Sequence, residues 1–156
     1  MSENKDNFRV IAQNKIAFHH YEITEKIEVG VVLMGSEVKS LRMFGASIAQ
    51  SYASSKANEI FIYGSSIAEY KDAKNFGHTP QRVRKLLLRK VEIRRITGMI
   101  QKKGLTLIPL SLYFNNKNMV KILLGIAKGK KKFDKRESEK RKDWEREKQR
   151  VAKYNF

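Results

Sequence analysis

The chain has 156 residues, of which 33 are Lys or Arg and 16 are Asp or Glu, giving a formal net charge of +17. Its 41% hydrophobic residues suffice for one globular core with a short appendage, which excludes a wholly disordered basic protein. Cysteine is absent, so disulfides, thiolate nucleophiles and cysteine zinc sites are excluded. No apolar run approaches the ~20 residues of a membrane span, and the N-terminal MSENKDNFRV lacks an apolar signal segment. We therefore expect a cytoplasmic protein.

Alternating apolar and polar residues predict about five or six short strands. The first is expected at 17–23, with His19 and His20 on opposite faces. Pro109 predicts an edge or a bulge within a later strand. In the last strand the apolar residues share one face, so Lys121 is expected to point outward. The further predicted strands cover residues 27–34, 60–63, 105–114 and 120–126.

Three helix signals interrupt these strands. Ser36 is expected to cap the first helix, and Glu37 suits the positive end of that helix. The pair at 79–80, Thr-Pro, predicts a second start. An isoleucine stripe at 93–100 predicts a third helix that ends at Gly104. Short strands around about three helices predict a mainly β fold, namely a small oligonucleotide-binding-like β-barrel of about six strands.

The basic charge is spread over the whole chain. Residues 128–156 hold 13 Lys or Arg against six Asp or Glu, and residues 1–127 hold 20 against 10. Such a chain needs an anionic partner or tolerates strong self-repulsion, and nucleic acid is the first candidate for the partner. An anionic membrane is the second, although no single helix pattern separates basic from aromatic residues cleanly.

The C-terminal segment has too few apolar residues for a core of its own. We expect residues 1–133 to form an RNA-binding domain. Residues 134–156 are expected to be a basic tail that is disordered alone and helical when bound to an anion. The alternative is a solvated helix that packs on the body through Phe133 and Trp144.

No group of residues predicts catalysis. His19 and His20 cannot chelate one metal from a regular strand, and no third ligand accompanies them. The lysines of GKGKKK lack the spacing of a phosphate-binding loop. We therefore expect no enzyme, no metal and no cofactor. A nuclease that uses a carboxylate pair remains an alternative, although no two acids stand out.

Two basic segments predict contacts with RNA. In TPQRVRKLLLRK, Arg82, Arg84 and Lys85 can grip phosphates, and three consecutive leucines on a helix would leave at least one exposed. In GIAKGKKKFDKR, the glycines allow a close backbone approach and the lysines concentrate charge. Phe133 and Trp144 offer flat faces for base stacking, worth about 1–3 kcal/mol per base, unless they pack on the body.

Six segments spread over nearly the whole chain carry a family pattern: IAQNKIAFHHYEI, EVGVVLMGSEVKSLR, SY, RVRKLLL, KKGLTLIPLSLYF and VKILLGIAKGKKKFDKRE. In order and spacing they resemble the SsrA-binding protein (SmpB) family of bacterial trans-translation. The resemblance implies an RNA-binding adaptor that binds the tRNA-like part of tmRNA and delivers it to stalled ribosomes. The body would replace the missing anticodon arm at the small-subunit decoding site, and the tail would enter the empty mRNA channel as a helix. We expect a monomer that has no membrane partner.

The resemblance and the basic segments together predict two sets of site residues. The RNA-binding set is Asn14, His19, Glu28, Arg82, Arg84, Lys85, Leu87 and Lys121. The ribosome and decoding-site set is Lys128, Lys130, Lys131, Phe133, Asp134, Lys135 and Arg136. Glu28 could accept a hydrogen bond from a base amino group or a 2′-hydroxyl, or could be a salt-bridged strand residue.

Some residues depart from the family pattern. Met43-Phe44-Gly45 stands where the family has a small residue, a glycine and a basic residue, and Thr79 replaces an Asp. Glu139 occupies a position that is often apolar, and the late hydrophobic pair is Val151-Ala152. The alternative within RNA biology is a ribosomal protein or an initiation-factor-like barrel with a basic tail.

Overall fold

The computed structural model describes residues 8–130 and 132–154, apart from the side chains at positions 74, 132–134 and 154. The strands are β1 (Arg9–Gln13), β2 (Tyr21–Val31), β3 (Ala46–Ser47), β4 (Tyr52–Lys56), β5 (Glu59–Tyr63), β6 (Ser66–Ile67), β7 (Arg84–Leu87), β8 (Thr106–Phe114) and β9 (Val120–Gly129). The helices are α1 (Ala17–His20), α2 (Gly35–Met43), α3 (Lys90–Lys103) and α4 (Lys132–Tyr154), with a 3-10 helix at Lys71–Phe76.

Six strands close into a ring. Their order is β8-β4-β5-β7-β2-β9, and β9 pairs with β8 again to complete the circle. Neighbouring strands are antiparallel throughout this ring. β1 is added to the outer edge of β8, while β3 and β6 form a separate two-stranded sheet. The predicted mainly β fold of about six strands with a few helices is thereby confirmed.

The core lies inside the ring, on the strand faces that the alternation predicted. Most inward residues at the centres of β2, β5 and β9 are almost wholly shielded from solvent, and Ile96 of α3 belongs to the same core. The inward residues are Val29, Ile60, Ile62, Ile122, Leu124 and Ile126. Because full burial of one such side chain contributes about 1.5–3 kcal/mol, these stripes fix which face of each strand looks outward. Lys121 faces outward as expected.

The predicted irregularity at Pro109 is confirmed as a bulge. The register between β8 and β9 shifts between Pro109 and Ser111. Asn14 bonds to two backbone carbonyls at this shift. Its Nδ2 donates to Pro109 O at 3.1 Å, and its backbone N–H donates to Leu110 O at 2.8 Å. The bulge therefore anchors the chain that leads into α1.

The strand expected at 17–23 is wrong in its first half. Residues 17–20 form α1, and the strand begins only at Tyr21; it continues to Val31, so the strands expected at 17–23 and 27–34 are one strand, β2. The side chain of Asn14 accepts a hydrogen bond from the N–H of Ala17 at 3.3 Å, which turns the backbone, and Ala17 is buried against the bulge side of β8. A capping contact of this kind overrides the local alternation.

The helix start expected at 79–80 is also wrong, because residues 84–87 form β7 between β5 and β2. Inward and outward residues alternate along β7, as they do in a strand, although the local sequence favoured a helix. The third helix begins at Lys90 and ends at Gly104, whose φ of 62° is the left-handed stop that was predicted. Ser36 does not cap α2; its Oγ lies 2.8 Å from Nδ1 of buried His78, and Glu37 accepts the Met34 N–H instead.

The tail is described as one helix, α4, which starts at Lys132. Trp144 is 62% exposed, and Lys148 Nζ lies 3.9 Å from its ring centroid, so Trp144 does not attach the helix to the body. The side chain of Phe133, the other residue proposed for that packing, lies outside the described residues. The division into a domain at 1–133 and a tail at 134–156 stays a prediction.

Candidate nucleic-acid interface

Four neighbouring strands of the ring present one outer row of side chains. The register places Tyr113 of β8 beside Lys121 of β9, Lys121 beside Gly30 of β2, and Gly30 beside Leu87 of β7. Leu87 is 51% exposed, so one of the three consecutive leucines faces solvent, although it does so from a strand and not from the expected helix. A Cβ added at Gly30 would lie 3.3 Å from Leu87. Glycine therefore leaves open the space beside Leu87 at the centre of the row. We call these four residues the outer row.

Glu28 lies one step along β2 from the outer row, opposite Leu123 of β9. The phenol of Tyr113 donates a hydrogen bond to the Glu28 carboxylate. Burial and this hydrogen bond raise the pKa of Tyr113, which keeps the phenol protonated at neutral pH and able to donate. None of the ion pairs among the described residues involves Glu28. The exposed carboxylate is therefore positioned by a neutral donor and not by a cation.

The structure thus brings Glu28, Lys121 and Leu87 together on one face, as the sequence predicted. It also adds Tyr113, which sequence reasoning missed. Tyr113 lies within a predicted strand, but the alternation of residues there shows only which face of the strand it is on. It does not show which side chain its hydroxyl contacts. A pairing register across three strands was needed to show that its hydroxyl reaches Glu28.

His19 and Asn14 lie at the end of the ring that carries α1. His19 Nε2 is 3.2 Å from Glu139 Oε1 of α4, so this predicted RNA contact sits where the body meets the tail helix. Asn14 is buried, and both ends of its amide are bonded to the backbone of β8 and α1. Asn14 therefore sets the position of α1, and through it that of His19, without reaching the surface itself.

Arg82 and Arg84 converge on one buried carboxylate. The Nε atoms of both arginines lie 2.9 Å from Glu37 Oε1, and Arg82 Nη2 lies 2.7 Å from Glu37 Oε2. Arg84 is 1% exposed, and its remaining donors reach Ser65 Oγ at 3.0 Å and Pro80 O at 3.0 Å. We call Glu37, Arg82 and Arg84 the buried triad.

The charges of the triad are stabilised together. Burial opposes ionisation of Glu37, but the hydrogen bonds from Arg82 and the Met34 N–H, together with the charges of both arginines, lower the pKa of Glu37. Burial lowers the pKa of Arg84, whereas the hydrogen bond to Glu37 raises the pKa of Arg82. All three groups are charged at neutral pH, so the triad is a structural ion network inside the fold.

This network corrects the prediction that placed Arg84 among the RNA-facing cations. Arg84 cannot reach a phosphate, because its guanidinium is enclosed and fully bonded to the protein. Arg82 is partly exposed and pairs with Glu37 at 2.7 Å, so one carboxylate is shared by two guanidinium groups and the buried triad keeps a net positive charge. Lys85, on the outward side of the same strand, is exposed to solvent and pairs with Glu59 at 2.7 Å. Arg82 and Lys85 both keep a partly exposed position, and their contact with RNA stays a prediction.

The residues that were predicted to contact the ribosome belong to the end of β9 and the start of α4. Lys128 and Arg136 are exposed. Lys130 donates through Nζ to Phe18 O at 3.0 Å and through its N–H to His20 O at 2.9 Å, which joins β9 to α1. Lys130 and Lys135 line one surface cleft. Lys131, together with the side chains of Phe133 and Asp134, lies outside the described residues.

Neither membrane insertion nor metal binding finds support in the part of the chain that the structure describes. There, no helix is long and apolar enough to cross a bilayer. Within the same residues, no three His, Asp or Glu side chains lie close enough to hold a metal ion. What the described surface offers is the outer row, with a cation and an apolar side chain, the Glu28 carboxylate beside that row, and a basic region at the other end of β9.

Comparison with known proteins agrees with this reading. The family model described as SmpB protein matches residues 11–154. An SsrA-binding protein of Rickettsia rickettsii (strain Sheila Smith) is 56% identical over 143 residues, which cover 92% of this chain and 94% of the relative. The SsrA-binding protein of Orientia tsutsugamushi (strain Boryong) is 49% identical over 148 residues, covering 95% and 97%. A solved chain described as "tmRNA-SmpB: a journey to the center of the bacterial ribosome" is 44% identical with a TM-score of 0.62, over 77% of this chain and 84% of that one. This chain therefore belongs to the SmpB protein family.

Proposed function

We propose that this chain is an RNA-binding adaptor, which binds the tRNA-like part of tmRNA and delivers it to stalled ribosomes for trans-translation. The observation that carries the proposal is the outer row with Glu28 beside it, presented by a member of the SmpB family. Its relatives are named for binding SsrA RNA, and its solved neighbour is described with tmRNA and the bacterial ribosome. The net charge of +17 supplies the long-range attraction for such a partner.

The outer row suits folded RNA better than a uniform basic patch would. Lys121 can neutralise a phosphate, and the exposed Leu87 beside Gly30 can pack against a ribose or a base. Glu28 can accept a hydrogen bond from an exocyclic amino group or a 2′-hydroxyl, because Tyr113 already fixes its orientation. A carboxylate in this place costs attraction to phosphates, so it favours a specific nucleotide group over RNA in general.

The basic end of the molecule is proposed to face the ribosome. Lys128, Lys130, Lys131, Phe133, Asp134, Lys135 and Arg136 form the predicted contact with the small-subunit decoding site. Residues 134–156 would then lie in the empty mRNA channel as a helix. The helical backbone of α4 supports this use, since its many Lys, Arg and Glu residues form a helix with little apolar support.

An adaptor of this kind needs no catalytic residue and no cofactor. We propose that the chain acts by binding alone, as a monomer in the cytoplasm, where its RNA and ribosomal partners are found.

A matched pair of glutamate variants tests the proposed interface. Glu28→Ala should weaken binding to the tRNA-like part of tmRNA by about 10- to 150-fold, the loss expected for one charged hydrogen bond. Glu22→Ala removes the same charge from the same strand, at an exposed position paired with Lys128, and should leave binding unchanged or slightly tighter. Tyr113→Phe should weaken binding less than Glu28→Ala, because the carboxylate remains but is no longer held.

Gel-shift titration measures the affinities, and circular dichroism checks that each variant is folded. A pure charge model predicts that both glutamate variants bind more tightly. Equal behaviour of folded Glu28→Ala and Glu22→Ala would therefore remove the specific role of Glu28.

A further inference from the structure

A cleft of about 550 Å³ opens where α1, the end of β9 and the start of α4 meet the loop before β4. Its size falls within the about 300–1,000 Å³ typical of small-ligand sites. The cleft shares no described lining residue with the outer row or with Glu28. The side chains relevant to a ligand are His20, Tyr21, Gln50, Tyr52, Lys130 and Lys135.

Tyr52 gives the cleft a flat aromatic wall. It pairs with Tyr63 across β4 and β5, and the neighbouring Ala53 and Ile62 are buried, so both tyrosines project outward from the ring. The two rings stack at 5.4 Å with an angle of 17° between their planes. Tyr63 thus supports Tyr52 on one side, while Tyr52 remains 50% exposed and lines the cleft. A ring fixed in this way is a ready platform for a second flat group.

The loop beneath Tyr52 is held in place before any ligand arrives. Buried Ser51 bonds back to Ile48 O through both its N–H, at 3.1 Å, and its Oγ, at 2.6 Å. Gly64 packs directly under the carbonyl of Gln50; a Cβ added there would lie 2.8 Å from that oxygen, and its φ is +75°. Because neither residue can move without breaking these contacts, the aromatic wall keeps its position.

The opposite side of the cleft is cationic. Lys130 is anchored by one hydrogen bond from Nζ to Phe18 O, which leaves two ammonium protons for another acceptor. Lys135 reaches the cleft from the first turns of α4. None of the described side chains that line the cleft is acidic. An aromatic wall facing two ammonium groups matches a base and its phosphate, which is the chemistry of single-stranded RNA recognition.

We propose that this cleft binds one unpaired nucleotide of single-stranded RNA, with the base stacked on Tyr52 and its phosphate between Lys130 and Lys135. The proposal rests on the proposed function only in taking RNA as the partner. It adds Tyr52 to the lysines already assigned to the basic end, and it gives an RNA contact that is independent of Glu28 where the body meets the base of the tail helix.

The test measures binding of a short fluorescein-labelled oligoadenylate to the full-length protein by anisotropy. Tyr52→Leu should weaken binding about tenfold, within the about 5- to 150-fold that loss of one base–aromatic stack costs. Tyr52→Phe keeps the ring and should bind as the wild type does. Phe76→Leu is the matched control, since Phe76 is a highly exposed aromatic residue outside the cleft. Lys130→Gln should reduce the slope of log K against log salt by about 1.

A photo-crosslink from a thiouridine-containing oligonucleotide to the wild-type protein locates the base without any substitution. Attachment to Tyr52 or its cleft neighbours supports the proposal; attachment elsewhere, or wild-type affinity of Tyr52→Leu, overturns it. Binding of the tRNA-like part of tmRNA to Tyr52→Leu should stay within about twofold of wild type, because the outer row is intact. If wild-type protein fails to bind tmRNA, the proposed function falls while the oligoadenylate result still decides the cleft.

Discussion

Replacement of Glu37 by Gln is expected to be the most destabilising single change of a polar residue in this fold. Glu37 is fully buried and accepts three hydrogen bonds from Arg82 and Arg84 and one from the Met34 N–H. Gln has the same shape but no charge, and its NH₂ group would face an arginine donor in either orientation. Arg84 would then remain buried as a cation without its counter-charge.

The expected cost follows from that burial. Removing one partner of a buried ion pair costs about 3–5 kcal/mol, against a total stability of about 5–15 kcal/mol for a domain. Since about 1 kcal/mol shifts Tm by about 2–4 °C in a chain of this size, Tm should fall by roughly 6–20 °C. The exposed Lys85–Glu59 pair provides the control, because Glu59→Gln should cost only about 0–1 kcal/mol.

Urea unfolding followed by far-UV circular dichroism gives both free energies of unfolding. A loss below about 1 kcal/mol for Glu37→Gln would refute the reasoning, because Arg84 would then be hydrated or paired in another way. Such a result would also return Arg84 to the set of candidate RNA contacts. A large loss for Glu37→Gln, with little for Glu59→Gln, supports the structural role of the buried triad.

Two further predictions concern pH and salt. The pKa of Glu37 is lowered from 4.5 in the folded state, so its stabilising contribution is complete above about pH 4.5 and is lost as pH falls through the folded value. The stability difference between wild type and Glu37→Gln, measured by urea unfolding at each pH, should therefore shrink on acidification; a constant difference would contradict this. For tmRNA binding, neutralisation of about five phosphates predicts a slope of log K against log salt of about −4. A flat response by anisotropy between about 50 and 300 mM salt would contradict recognition led by phosphates.

The sequence predicts the ring and its core well because burial acts on every second residue of a strand. The period of two in β5 and β9 is a direct consequence of packing against one core. Pro109 predicts the bulge in β8 because proline has no backbone N–H to donate to a neighbouring strand. Segment 17–20 and the pair at 79–80 fail for a different reason. In both, a contact distant along the chain decides the conformation, through the β8 bulge that receives Asn14 or through the strands on either side of β7.

The site divides in the same way. Glu28, Leu87 and Lys121 are placed together by strand register, so their resemblance to family positions and their outward facing point to the same surface. Residue type alone could not show whether Arg84 faces RNA or the protein interior. An arginine can be buried when a carboxylate inside the fold pairs with it, and the local sequence does not show that carboxylate. Glu37 supplies that carboxylate from 47 residues away in the chain. Such a pairing is invisible to local pattern.

Deletion of residues 134–156 tests the central claim most directly, since an adaptor must bind tmRNA with one part and act on the ribosome with another. The deleted segment holds nine Lys or Arg and six Asp or Glu, so only +3 of the +17 net charge is lost. Gel-shift titration should show tmRNA affinity within about threefold of the full chain, because long-range attraction changes little. Peptide tagging on messages without a stop codon should be abolished in a reconstituted assay. Loss of RNA affinity as severe as the loss of tagging, or tagging that proceeds normally, would contradict the division of the molecule into an RNA-binding body and a ribosome-binding tail.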